Sequence, residues 1–196
     1  MNQVLRNIYL QSHHTYSLRE NLRFELAHGS ESNYNQQIEN GKQRAHRIFE
    51  DIFRDSACIQ LILFDDACGK NSRFRKFLYH QQFKIVDHFM TDAFKNDHMA
   101  TTAVTVVETS VANLRRTKVI DGICYQDFIA PGKMRITNAV VFYEPKKQIL
   151  LNIYDDRGCD VWSDHFQQQK AIYQRFNDWI LAYDRYAIDQ VFASIP

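Results

Sequence analysis

The sequence predicts an α+β fold, a mostly antiparallel sheet covered by helices and ending in a helical C-terminus. Three observations carry that prediction. Residues 139–154 read as strand, turn, strand; residues 34–53 carry apolar side chains at three- and four-residue spacing; and a period near 3.6 returns after Asp164.

The elements follow in chain order. Leu22-Arg23-Phe24-Glu25-Leu26 alternates apolar and charged residues, the period-two signature of a half-buried strand. After the turn residues His28-Gly29-Ser30, Tyr34, Ile38, Ala45, Ile48, Phe49, Ile52 and Phe53 form one face of an amphipathic helix, with Ser30 or Ser32 as its cap. Cys58 to Phe64 is short and apolar, bounded by Asp65-Asp66, and reads as a buried strand. Between Gly69 and Asn96 the aromatic and apolar residues fit a helical stripe only in parts. Thr101 to Glu108 is rich in β-branched residues and reads as a strand, and Val119 to Phe128 as a short helix that Gly122 weakens. The hairpin comprises 139–143, the turn Glu144-Pro145-Lys146-Lys147, and 148–154. In the last segment Ile172, Phe176, Trp179, Ile180, Tyr183, Ala187 and Val191 keep helical spacing, with a break near Asn177-Asp178.

Length and composition bound the rest. A chain of 196 residues, 45% hydrophobic and 24% charged, is expected to form one domain over 1–196, and three prolines and six glycines leave no place for a linker. The N-terminus lacks the features of a secretory signal, and no apolar run is long enough to span a membrane. Cys58, Cys68, Cys124 and Cys159 are scattered without a CxxC pair, which fits reduced thiols and a cytoplasmic location. The formal charge of +1 is uneven: residues 67–150 carry 13 basic and 7 acidic groups, whereas residues 151–196 carry 4 and 7. Such asymmetry can steer a charged partner, although pairing on one folded surface is the commoner outcome.

The densest functional chemistry is Tyr154-Asp155-Asp156-Arg157-Gly158-Cys159-Asp160-Val161-Trp162-Ser163. Asp155 and Asp156, with Asp65 and Asp66, each follow an apolar strand; convergence of all four would suit Mg²⁺ and a phosphodiesterase or nuclease. The favoured reading is turn chemistry, with Asp side chains on backbone amides and Gly158 at positive φ. Arg157, among Asp155, Asp156 and Asp160, is expected to clamp the turn; pointing outward, it would grip an anionic ligand or a partner, with Trp162 beside it.

Lys70, Arg73, Arg75 and Lys76 interleave with aromatic residues, and Arg115, Arg116 and Lys118 form a second basic run. Both are short at an overall pI near 7.7, so a solvated face is favoured over nucleic-acid binding. The eight histidines, including His13-His14, form no metal motif, and no P-loop, GxGxxG or GxSxG is present, so no cofactor or metal is expected.

Four segments together carry a family resemblance: Leu22 to Leu26, Ala45 to Phe53, the run from Tyr154 to Asp160, and Tyr173 to Ile180. They resemble a bacterial domain-of-unknown-function family, number 3885, over about residues 20–190, with YDDRGxD as the most specific part and 69–100 reading as an insertion. The resemblance implies an α+β fold and a bacterial source, and it transfers no catalytic residue. Small bacterial proteins of this kind often serve as immunity proteins beside secreted or contact-delivered toxins. The expected function is therefore a non-catalytic, cytoplasmic interaction protein that neutralises a cognate toxin domain. Its expected contact residues are Asp155, Asp156, Arg157, Asp160 and Trp162, on an acidic C-terminal third.

Overall fold

A computed structural model describes residues 3–11, 21–28, 34–66, 73–93, 101–128 and 131–192. Its centre is a seven-stranded sheet: β1 (Leu22–Glu25), β2 (Cys58–Asp66), β3 (Lys84–Thr91), β4 (Thr102–Ser110), β5 (Val140–Glu144), β6 (Ile149–Ile153) and β7 (Gly158–Ser163). The spatial order is β1-β7-β6-β5-β2-β4-β3, and every neighbouring pair is antiparallel. The longest ladder pairs β2 with β4, from Cys58 opposite Ser110 to Asp66 opposite Thr102. Period-two alternation along β2 sends Ile59, Leu61 and Leu63 to one face and Ile62 and Phe64 to the other, so both faces need cover.

Most helices cover the first face. The stripe foreseen on α2 (Tyr34–Phe53) is buried at Ile38, Ala45, Ile48, Phe49, Ile52 and Phe53, whereas Tyr34, also placed on it, is exposed at the start of the helix. Phe49 meets Phe142 of β5 edge-to-face, ring centres 5.2 Å apart. Val119, Ile120 and Ile123 of α3 (Arg116–Cys124) join this core, as do Ile172 of α4 (Phe166–Arg175) and Ile188 and Phe192 of α5 (Arg185–Phe192). Burying each such side chain contributes about 1.5–3 kcal/mol.

The second face carries a smaller core of Ile62, Phe64, Val104, Val106, Val141, Tyr143 and Leu150, with Trp162 packed beside it. It is met by α1 (Gln3–Gln11), to which the sequence reading assigned no element. Tyr9 of α1 is buried, donates to the Gln60 side chain at 3.0 Å, and stands edge-on to Tyr143. Burial, then the neighbouring Tyr143 and acidic groups, push its pKa up to about 12. Arg6 ties α1 to β3 through Asp87 at 3.0 Å and stacks over Phe89.

Three expectations change. The mixed stretch between Gly69 and Asn96 holds a 3₁₀ turn over Arg73–Phe77 and then β3, an edge strand with a bulge between Ile85 and Asp87. The bulge breaks the period-two alternation that would have marked a strand. The short helix starts and stops earlier than 119–128, at Arg116 and Cys124. Tyr183, read as part of the C-terminal apolar stripe, is 90% exposed; the break over Asn177–Trp179 resets the helical phase before α5 begins. His13-His14, Ser30, Ser32, Cys68 and Lys70 lie outside the described residues. Among the described residues, no helix is long and apolar enough to cross a membrane.

Candidate functional site

Both aspartate pairs leave the same end of the sheet. β2 and β6 each pair antiparallel with β5, so they run in the same direction and Asp65-Asp66 and Asp155-Asp156 emerge together. One strand separates them, so the backbones stand two ladder spacings apart, roughly 10 Å. Asp65 and Asp66 are not turn residues as expected; they continue β2 opposite Ala103 and Thr102. The Asp65 carboxylate accepts a hydrogen bond from the Asn138 side-chain amide, on the segment entering β5. A cavity of about 370 Å³ opens beside it, walled by Leu63, Phe74 and Phe77 and rimmed by Lys76 and Arg135. A second, of about 400 Å³, lies on the far side of Asn138 against Gln126, Asn152 and Tyr154.

The Tyr154–Ser163 stretch forms the corner between β6 and β7. Asp155 is buried, and its carboxylate accepts from the Arg157 backbone N–H and from Arg157 Nε, each at 2.7 Å, and also from Arg157 Nη2. The expected clamp is therefore present, and it raises the Arg157 pKa further. The Arg157 side chain is nevertheless 72% exposed, with Asp127 at 3.5 Å on its outer side. Arg157 lines neither of the two cavities above.

Asp156 is buried beneath α2, and burial followed by the Asp155 charge pushes its pKa up. Asp160 faces Arg23 across the β1–β7 ladder; Arg23 holds it at 3.2 Å and Asp184 at 3.0 Å. Trp162 stands opposite Leu150 and packs, half-buried, on the second core. Of the five expected contact residues, Arg157 alone is well exposed. The carboxylates of Asp155, Asp156 and Asp160 face inward because strand register and the close approach of α2 put them there.

Gly158 works differently from expectation. Its φ is not positive; among the described residues the glycine with positive φ is Gly132. Instead the Tyr154 ring lies directly on Gly158, where a Cβ would overlap its hydroxyl end. Burial, then Asp160, drives the Tyr154 pKa well above its ordinary value.

Among the described residues, no three His, Cys, Asp or Glu side chains converge to hold a metal ion. Cys124 and Cys159 are buried and their thiol pKa values raised by desolvation, so neither is primed as a nucleophile. The basic runs are partly engaged, with Arg116 on Glu50 at 2.9 Å, Arg115 over Tyr79 and Arg75 over Phe83. Sequence reasoning missed one polar cluster: His46 of α2 bonds Asp121 of α3 at 2.8 Å, and Lys42 approaches the same carboxylate at 3.6 Å. No spacing rule links residues 75 positions apart, so no signal marked it. Arg23 was missed as the partner of Asp160, although the alternation of β1 already set it apart from the buried Leu22 and Phe24.

With this corner and sheet in place, the family follows from the whole chain. The family described as "Domain of unknown function (DUF3885)" matches residues 1–184. The chain belongs to that family. The match begins at residue 1, so it takes in α1, which lay outside the range of the resemblance. A relative, described as "Uncharacterized protein YnaE" from Bacillus subtilis (strain 168), is 31% identical over 77 residues, 36% of this chain. The match covers 35% of that relative, so the chain spans about a third of its length. No solved structure matches this DUF3885 chain.

Proposed function

We propose that this DUF3885 protein is a protein-binding module, an immunity protein that neutralises a cognate toxin domain by covering it. The observation that carries the reading is the exposure of Tyr183 (90%) and Tyr186 (78%) on a fixed support in the C-terminal third. The segment that carries them is pinned: Ile180 bridges Phe24, the Leu181 N–H donates to Arg23 O at 3.0 Å, and Asp184 pairs with Arg23. At the other end of β1, the Leu26 N–H donates to Arg157 O at 2.8 Å, which fixes the corner bearing the exposed guanidinium. Tyrosine and arginine are among the residue types that dominate protein interfaces, and here the backbone segments that present them are fixed before binding.

The binding face is therefore aromatic and cationic at its anchors, rather than the acidic surface foreseen from composition. Three of the seven acidic residues after 150 are buried, and Asp184 and Asp189 are engaged by Arg23 and by Tyr173. The test is co-expression with each protein encoded beside its gene, scored against the growth inhibition that protein causes alone. Rescue of growth together with a stable complex is the expected result; a failure of both would overturn the reading.

A further inference from the structure

α2 and the C-terminal end of α4 line an open cavity of about 630 Å³ that includes none of the residues from Tyr154 to Ser163. Arg44 and Arg47 of α2 and Arg175 of α4 all line it. Arg44 and Arg47 are one turn apart on the same helix, an arrangement in which like charges repel. Arg44 is half-buried: its guanidinium lies 5.0 Å over the Trp179 ring and donates to the backbone carbonyl of Glu25 at 2.9 Å, and among the described residues no carboxylate is hydrogen-bonded to it. Burial lowers its pKa, against a smaller opposing pull from the Glu25 carboxylate. Arg47 is exposed and makes no ion pair among the described residues, whereas Arg175 is held by Asp51. One carboxylate, Asp178, reaches the lining, and Phe176 and Trp179 supply an apolar wall.

We infer that this cavity is a binding site for a phosphate-bearing small molecule of about nucleotide size. Guanidinium groups from two helices that line one cavity offer forked donors that match the oxygens of a phosphate, a geometry lysines in their place would not supply. The volume lies within the range of small-molecule pockets, and the aromatic wall gives the remainder of the ligand a surface to pack on. An anion here would also offset the repulsion between Arg44 and Arg47. The inference does not depend on the toxin-binding reading.

The test is calorimetric titration of the full chain with inorganic phosphate, with a nucleoside monophosphate and with the parent nucleoside. Trp179 fluorescence in a Trp162→Phe background locates the event. Saturable binding of the phosphate-bearing probes, none by the nucleoside, and at least a tenfold loss of affinity in Arg47→Gln and Arg44→Gln are expected. Arg47 is exposed, so R47Q keeps the test valid should R44Q destabilise the fold. Absence of saturable binding by either phosphate probe, or binding undiminished in R47Q, overturns the assignment.

Discussion

Gly41 of α2 packs directly against the backbone of Asp156, so closely that a Cβ at position 41 would overlap the Asp156 carbonyl oxygen. This contact seats the helix on the corner and explains a glycine in the middle of a 20-residue helix, where it otherwise costs about 1 kcal/mol relative to alanine. Gly41→Ala should therefore destabilise despite its better propensity, by about 1–3 kcal/mol, because the clash is with backbone and not with a movable side chain. Urea unfolding checks this; an unchanged or higher midpoint would show that α2 does not seat there.

Tyr154 and Gly158 are coupled in the same way. Gly158→Ala should cost about 1–3 kcal/mol by pushing the Tyr154 ring from its place, and most of that penalty should vanish in a Tyr154→Leu background. Additive losses in the double-mutant cycle would instead place the cost of G158A in its own backbone.

These contacts show what the sequence could and could not disclose. The alternation of 22–26, the helical spacing of 34–53 and the two apolar runs flanking a turn in 139–154 were enough for α2 and three strands, β1, β5 and β6. β3 escaped because its bulge breaks the alternation, and α1 because its nine residues are too few for helical spacing to repeat clearly. At the corner, the Arg157–Asp155 clamp was legible from local sequence. The inward aim of Asp156 and Asp160 was not, because it depends on Gly41 and Arg23, more than 100 residues away. Composition counted Asp155, Asp156 and Asp160 as surface charge when burial had removed them.

The buried Asp156 makes a pH-dependent prediction. Its pKa is raised on folding, so from the ordinary carboxylate pKa up to the raised value the folded state binds more protons than the unfolded chain. The stability this group contributes is thus present in acid and lost as pH rises through the folded pKa. Asp156→Asn removes that dependence, so the stability of D156N relative to wild type should increase from acid to neutral pH. Thermal unfolding across that range is the check; a difference independent of pH would mean that Asp156 titrates normally.

The central claim is that the exposed side chains of Arg157, Tyr183 and Tyr186 bind a toxin domain. Calorimetric titration of the toxin domain identified by co-expression into wild type, Arg157→Ala and Tyr183→Ala tests it most directly. The account predicts tight binding by wild type and at least a tenfold loss in each variant, since anchor truncations of this type typically cost about 2 kcal/mol or more. An unfolding midpoint close to wild type in Y183A would exclude misfolding as the cause. Absence of wild-type binding, or undiminished affinity in both variants, would contradict it.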